Sequence, residues 1–203
     1  MSTVKSKNLQ VGTDATASNN FTIYQPSTPD GTLRVGVGNA DSPTEVGRFT
    51  NAGYKPANAP FFYASASADQ TPISAATWTK VVLDTEVYDT ANCFDNSSTY
   101  RFTPNVAGYY LFNHSVRVNF TTSMSQANVV VWKNGGSSEK GQMNLVRNQN
   151  AAFHVAGSCI HYLNGTTDYV ELYVYINGTG TLSLNYGASN AMTWWEGILL
   201  QQA

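Results

Sequence analysis

From Tyr109 to Phe120 the side chains alternate so regularly that only an extended strand fits them. Tyr110, Phe112, His114, Val116, Val118 and Phe120 fall on one face, and Tyr109, Leu111, Asn113, Ser115, Arg117 and Asn119 on the other. A strand sends successive side chains to opposite sides, so the first set is predicted to face a core and the second to be wetter. A strand with one covered face needs a second layer over that face, and a β-sandwich supplies it.

The surrounding sequence repeats this theme. Strands are predicted over Phe61–Ser65, Thr79–Tyr88, Thr99–Thr103, Tyr109–Phe120, Ala127–Lys133, Ala152–Leu163, Tyr169–Ile176, Thr181–Tyr186 and Met192–Gln201. Their spacing is that of a sandwich, and Asn134-Gly135 and Asn164-Gly165 are tight-turn pairs. No segment has helical periodicity. In Tyr169–Ile176, Val170, Leu172, Val174 and Ile176 form the core set, with Tyr169, Glu171, Tyr173 and Tyr175 opposite. Tyr169, Tyr173 and Tyr175 are a large aromatic surface for an outer face. They are expected to meet neighbouring subunits, the alternative being cross-strand packing within one chain.

Residues 1–59 differ in character. Stretches such as Phe21-Thr22-Ile23-Tyr24 and Leu33-Arg34-Val35-Gly36-Val37 alternate with turns at Pro26, Pro29-Asp30-Gly31 and Pro43. Strands so short cannot build an independent core. The segment is therefore expected to be an assembly or docking arm, ordered by copies of itself or by another protein. Residues 55–60, with Pro56 and Pro60, are predicted to form an extended linker to a domain over 60–203.

Composition narrows the function classes. Charged residues are 12% of the chain, about half the usual share, while Tyr and Phe number 12 and 9. That balance favours folded β structure and a neutral surface suited to sugar contacts or assembly. The net charge is −2 with scattered basic residues, so no nucleic-acid footprint is present. No apolar run has membrane-spanning length, and Met1-Ser2-Thr3-Val4-Lys5-Ser6 does not lead into a signal-peptide core. Synthesis and retention in a cytoplasm are expected.

Catalytic chemistry is sparse. Cys93, in a polar loop, and Cys159, in a strand, define no disulfide framework. His114 falls on a core face, and His154 and His161 point to opposite sides of one strand. No nucleophile elbow or zinc spacing occurs, and Gly36-Val37-Gly38 lacks the helix of a phosphate site. Asp84, Glu86, Asp89 and Asp95 could hold calcium through loop oxygens or could be solvated charges. Six Asn-x-Ser/Thr triplets are expected by chance in so Asn-, Ser- and Thr-rich a chain. The expectation is a non-enzymatic protein with no cofactor and no metal.

Several motifs carry a family resemblance over about residues 60–203. Phe102, Pro104, Gly108, Tyr110 and Phe112 form a corner-and-strand signature, followed by Val129-Val130-Val131-Trp132-Lys133-Asn134-Gly135, Gly165-Thr166-Thr167-Asp168-Tyr169-Val170 and Trp195-Glu196-Gly197-Ile198-Leu199-Leu200. In this order they resemble the jelly-roll head of complement-type globular domains and tumour-necrosis-factor-like ligands. The resemblance implies an all-β jelly-roll sandwich that assembles as a homotrimer through one sheet. The chain lacks the collagen-like repeat and disulfides of animal members, and a secreted ligand is the remotest alternative. Stretches of the arm, including Thr32-Leu33-Arg34-Val35-Gly36-Val37-Gly38, resemble bacteriophage fibre and particle-surface proteins.

The functional expectation is thus a bacteriophage virion surface protein, assembled in the host cytoplasm. Residues 1–59 would dock on capsid or tail proteins, with the head displayed for adhesion to host polysaccharide or protein. Phe94, Asn96, Asn134 and Ser137 are the candidate receptor-loop residues, Phe94 for stacking on sugars. The alternative is a capsid decoration or cement protein whose trimers staple the shell at threefold positions. Neither reading involves nucleic acid or membrane.

Overall fold

The structure, a computed structural model, describes residues 8–16, 19–136, 138–149, 151–187 and 192–203, with residues 138–149 described by backbone and register. The chain forms two compact units, Met1–Asn58 and Ala59–Ala203. The described elements are β-strands, and every described pairing is antiparallel.

The first unit is a five-stranded meander in chain order: β1 (Asn8–Val11), β2 (Phe21–Tyr24), β3 (Leu33–Val37), β4 (Thr44–Thr50) and β5 (Gly53–Pro56). Asn20 ties off the first turn: its side-chain oxygen accepts the Asp14 N–H at 3.0 Å and its amide donates to the Asp14 carbonyl at 2.8 Å. The extended linker expected over residues 55–60 starts later than anticipated, because Lys55 and Pro56 complete β5. Pro56 can pair there because β5 is a sheet edge, where a missing N–H leaves no central ladder bond unmade.

The second unit carries β6 (Phe61–Ser65), β7 (Trp78–Lys80), β8 (Thr85–Asp89), β9 (Phe94–Asp95), β10 (Arg101–Phe102), β11 (Ala107–Phe120), β12 (Ser123–Lys133), β13 (Ser138–Gln149), β14 (Phe153–Asn164), β15 (Val170–Thr179), β16 (Leu182–Leu184) and β17 (Trp194–Gln202). One sheet has the order β14-β11-β17-β6-β8, with β16 also on β11. The other has the order β13-β12-β15-β10-β9, with β7 also on β15. The core lies between them and is ring-rich. Phe62 stacks on Phe94 at 4.8 Å and on Phe102 at 4.7 Å, and meets Trp195 edge-on at 5.1 Å. Tyr110, Phe112, His114, Val116 and Val118 are all buried, as the alternation predicts.

The corner signature has a structural meaning. β10 belongs to one sheet and β11 to the other, so residues 103–106 carry the chain across the sandwich. The Tyr110 hydroxyl donates to the Val106 carbonyl at 2.7 Å and fixes that crossing. Burial pushes the phenol far above its ordinary range, so it remains a donor. Gly197, in the closing motif, lets β17 pass beneath two rings. A Cβ there would lie 2.6 Å from ring carbons of both Phe62 and Phe112.

Two expectations about strands are corrected. Thr79–Tyr88 is not one strand: β7 pairs with β15 and β8 with β6, in opposite sheets. Val81 and Leu83 sink into the core between them, and the apolar run reflects that crossing. The predicted strands also omit β13, which begins at Ser138 and pairs with β12 as far as Gln149. This edge strand has a single neighbour and a polar sequence, so it leaves little apolar alternation to detect.

Candidate interaction surface

The alternation that buries Tyr110 and Phe112 turns Tyr109 and Leu111 outward, and the register gathers more apolar side chains beside them. Leu111 lies opposite Ile160 of β14 and Ile198 of β17, and Ile198 lies opposite Phe61 of β6. These four residues form one row across four strands. In the next row Tyr109 faces Tyr162, with ring centroids 5.5 Å apart. Leu200 adds to this end, where the pairing of β11 and β17 shifts register. Tyr109, Ile160, Tyr162, Ile198 and Leu200 are each 42–52% exposed. A contiguous apolar patch of this kind on a flat sheet marks an interaction surface.

The face becomes polar along β11. The Asn113 amide donates to Glu196 Oε1 at 3.0 Å, and the Ser115 hydroxyl sits 3.0 Å from His154 Nδ1. Burial, and then the charge of Arg117, lower the His154 pKa. Across β17, the Tyr63 and Trp194 rings stack at 5.8 Å, and Phe61 stacks on Tyr88 at 4.4 Å. Burial raises the Tyr63 and Tyr88 phenols, and the negative charge of Glu196 adds to the effect. At the patch margin, Lys133 is ion-paired to Asp168 at 2.7 Å and donates to the Tyr162 carbonyl at 2.8 Å.

Tyr169, Tyr173 and Tyr175 lie on and beside β15 in the other sheet and are partly buried, each less exposed than Tyr109 or Tyr162. Tyr173 packs on Trp132 at 4.2 Å, Tyr175 meets Trp78 at 5.4 Å, and the Arg101 guanidinium sits 4.5 Å above Tyr169. Lys80 adds an ion pair to Glu171 at 2.6 Å on the same ridge. The stripe therefore has aromatic and cationic partners within its own chain.

The receptor-loop expectation changes more sharply. Phe94 is not an exposed loop aromatic: it is 6% exposed, its ring stacked on Phe62 within the core. Three N–H groups, those of Ala91, Cys93 and Phe94, converge on Asp89 and draw this segment inward. Cys93, in the connection between β8 and β9 as expected, is nonetheless buried, and its thiol pKa is raised by that burial. Asn96 is half-buried, and Asn134 is occupied in closing its turn. The Asn134 amide donates to Asp168 Oδ1 at 2.8 Å, and its side-chain oxygen accepts the Tyr169 N–H at 3.0 Å. Ser137 lies outside the described residues.

The carboxylates are similarly engaged. Asp95 accepts from Ser97, Ser98 and Thr99, which hold its carboxyl well below the usual range. Asp84 accepts from the Ser67 N–H and hydroxyl. Among the described residues no three His, Cys, Asp or Glu side chains are placed to hold a metal ion. Cys93 and Cys159 are not joined by a disulfide, and His114 and His161 are buried. An open cleft of about 420 Å³ is bordered by Asp69, Arg117, Asn185 and Met192, and among the described residues lining it no nucleophile and base come together.

The sequence expectations give Ile160, Tyr162, Ile198 and Leu200 no interface role. The available signal was local: Ile198-Leu199-Leu200 is apolar at successive positions and Ile160, Tyr162 and Leu163 put apolar or aromatic side chains on both faces of their strand, the pattern of strands covered on both sides.

This architecture is that of the complement and tumour-necrosis-factor-like jelly-roll heads. The globular domain of zebrafish complement 1qA protein aligns with a TM-score of 0.50 at 14% identity, over 72% of this chain and all of that one. Murine APRIL aligns with a TM-score of 0.52 at 13% identity, over 70% of this chain and all of that one. The Eiger TNF of S. frugiperda aligns with a TM-score of 0.50 at 11% identity, over 71% of this chain and 93% of that one. At such identities the likeness is one of fold. No protein-family model and no curated protein sequence matches the chain.

Proposed function

We propose that the chain is a non-enzymatic subunit of a homotrimer, assembled through the outward face of β14, β11 and β17 and displayed on a bacteriophage virion. The observation that carries the trimer is the exposed apolar row through Ile160, Leu111 and Ile198 with Tyr109 and Tyr162 beside it. Burying large apolar side chains contributes roughly 1.5–3 kcal/mol each when burial is complete. A cluster this size can anchor an interface, with Asn113, Glu196 and His154 at its polar side. In this reading Tyr169, Tyr173 and Tyr175, which have ring and cation partners within their own chain, lie outside the interface.

The virion reading is supported by the resemblance of the N-terminal stretches to particle-surface proteins and by the low charge. Residues 1–59 dock the trimer on the particle, and the loops of the head face outward. Capsid decoration is the second reading, favoured by one observation: the loop that was to supply an aromatic for sugar stacking keeps Phe94 in the core. Imaging of intact particles with tagged copies tests both. Copies at the tail tip, with selective binding on a glycan array, support adhesion. Copies over capsid threefolds support decoration, and absence from the particle overturns the virion assignment.

A further inference from the structure

The sheet of the N-terminal unit is inside out for a layer standing alone. Register places Val11, Phe21 and Val37 in one row across β1, β2 and β3, and Leu33, Phe49 and Tyr54 in another across β3, β4 and β5. Five of these six side chains are 48–57% exposed, Val37 being the exception. The opposite face is polar, yet it is the better covered. Thr22 is fully buried, Pro43 lies over Gly36, and Glu45 pairs with Arg34 at 3.1 Å and Arg48 at 2.6 Å. A single sheet with its apolar side in water has no core and is not stable.

We infer that this apolar face is covered by the same face of two other copies of the chain. The inference rests on the trimer proposed for the head. Each trimer brings three such sheets, each tethered to its head by residues 57–60, and a short tether holds neighbours at an effective concentration of about millimolar. Neither apolar row contains a charged residue, so like can meet like without repulsion. The three sheets then supply one another's second layer. Their polar faces, with the Arg34, Glu45 and Arg48 cluster, remain outward for contact with the particle.

Hydrogen exchange of the full chain, read with its oligomeric state, tests this. The expected result is a trimer in which amides of β1–β5 are protected. Phe21→Asp should leave the head trimeric but accelerate exchange across β1–β5 by roughly 100-fold or more. Gln10→Asp, on the polar face of β1, should leave protection unchanged. A trimer with unprotected β1–β5, or full protection in Phe21→Asp, overturns the inference and leaves the head trimer standing. A monomer overturns the trimer and the inference together. Because Phe21→Asp could unfold the sheet within one chain, benzoylphenylalanine at position 21 gives a second readout. Photolysis should link it to the β1–β5 region of another copy, and products confined to one chain overturn the inference.

Discussion

Tyr109 of β11 and Tyr162 of β14 face each other across the strand pair, with ring centroids 5.5 Å apart and close to half of each side chain in solvent. Inside the sandwich their neighbours Tyr110 and His161 are fully buried. One pair of strands thus carries rings on both sides, and only one side is covered by its own chain.

That asymmetry separates two aromatic surfaces by experiment. Ile160→Asp places a charge in the centre of the exposed row and should raise the trimer dissociation constant at least about 100-fold, the effect of losing a central hot spot. Tyr173→Ala instead removes a ring packed on Trp132 and should cost the head roughly 1–3 kcal/mol while leaving a trimer. Sedimentation and urea denaturation of both variants check this. Dissociation by Tyr173→Ala would return the interface to β15.

Gly197 should tolerate no side chain. The Cβ of Gly197→Ala would meet Phe62 and Phe112, both fully buried with little room to move. Overpacking of this kind costs about 1–3 kcal/mol, read as a lowered thermal midpoint.

Phe94 should behave as a core residue. Phe94→Ala is expected to destabilise the head by about 3–5 kcal/mol in urea, as for other buried aromatics. A variant of unchanged stability that lost binding to a host surface would contradict its placement.

Asp95 gives an acid-side signature. Thr99, Ser97 and Ser98 hold its folded carboxyl far below the ordinary 3.8. A depressed carboxylate stabilises fully above its unfolded value, and that stability fades as pH falls below about 4. Asp95→Asn should therefore lower the thermal midpoint at pH 7, with the gap from the unmodified protein narrowing between about pH 4 and pH 2. A gap constant over that range would contradict the assignment.

The long strands were legible because a period of two persists over many residues, as in β11, where every predicted core side chain before Phe120 is buried. Short elements resisted for specific reasons. Val81 and Leu83 look like strand residues but pack at a crossing between sheets, and β13 is a polar edge. The interaction surface was harder still. Alternation tells which residues share a face, but not which outer face neighbouring strands already cover. The stripe on β15 is shielded by Trp78, Trp132 and Arg101, which arrive from three other strands. The row on β11 is completed by Ile160 and Ile198, 49 and 87 residues away in sequence. Such pairings follow from register, and register is a property of the whole fold.

Sedimentation equilibrium of the unmodified full chain over a wide concentration range tests the central claim most directly. Three chains per particle at micromolar concentration, falling to one in Ile160→Asp, is the expected result. A monomer throughout, with Tyr109, Ile160 and Ile198 left in solvent, would contradict it.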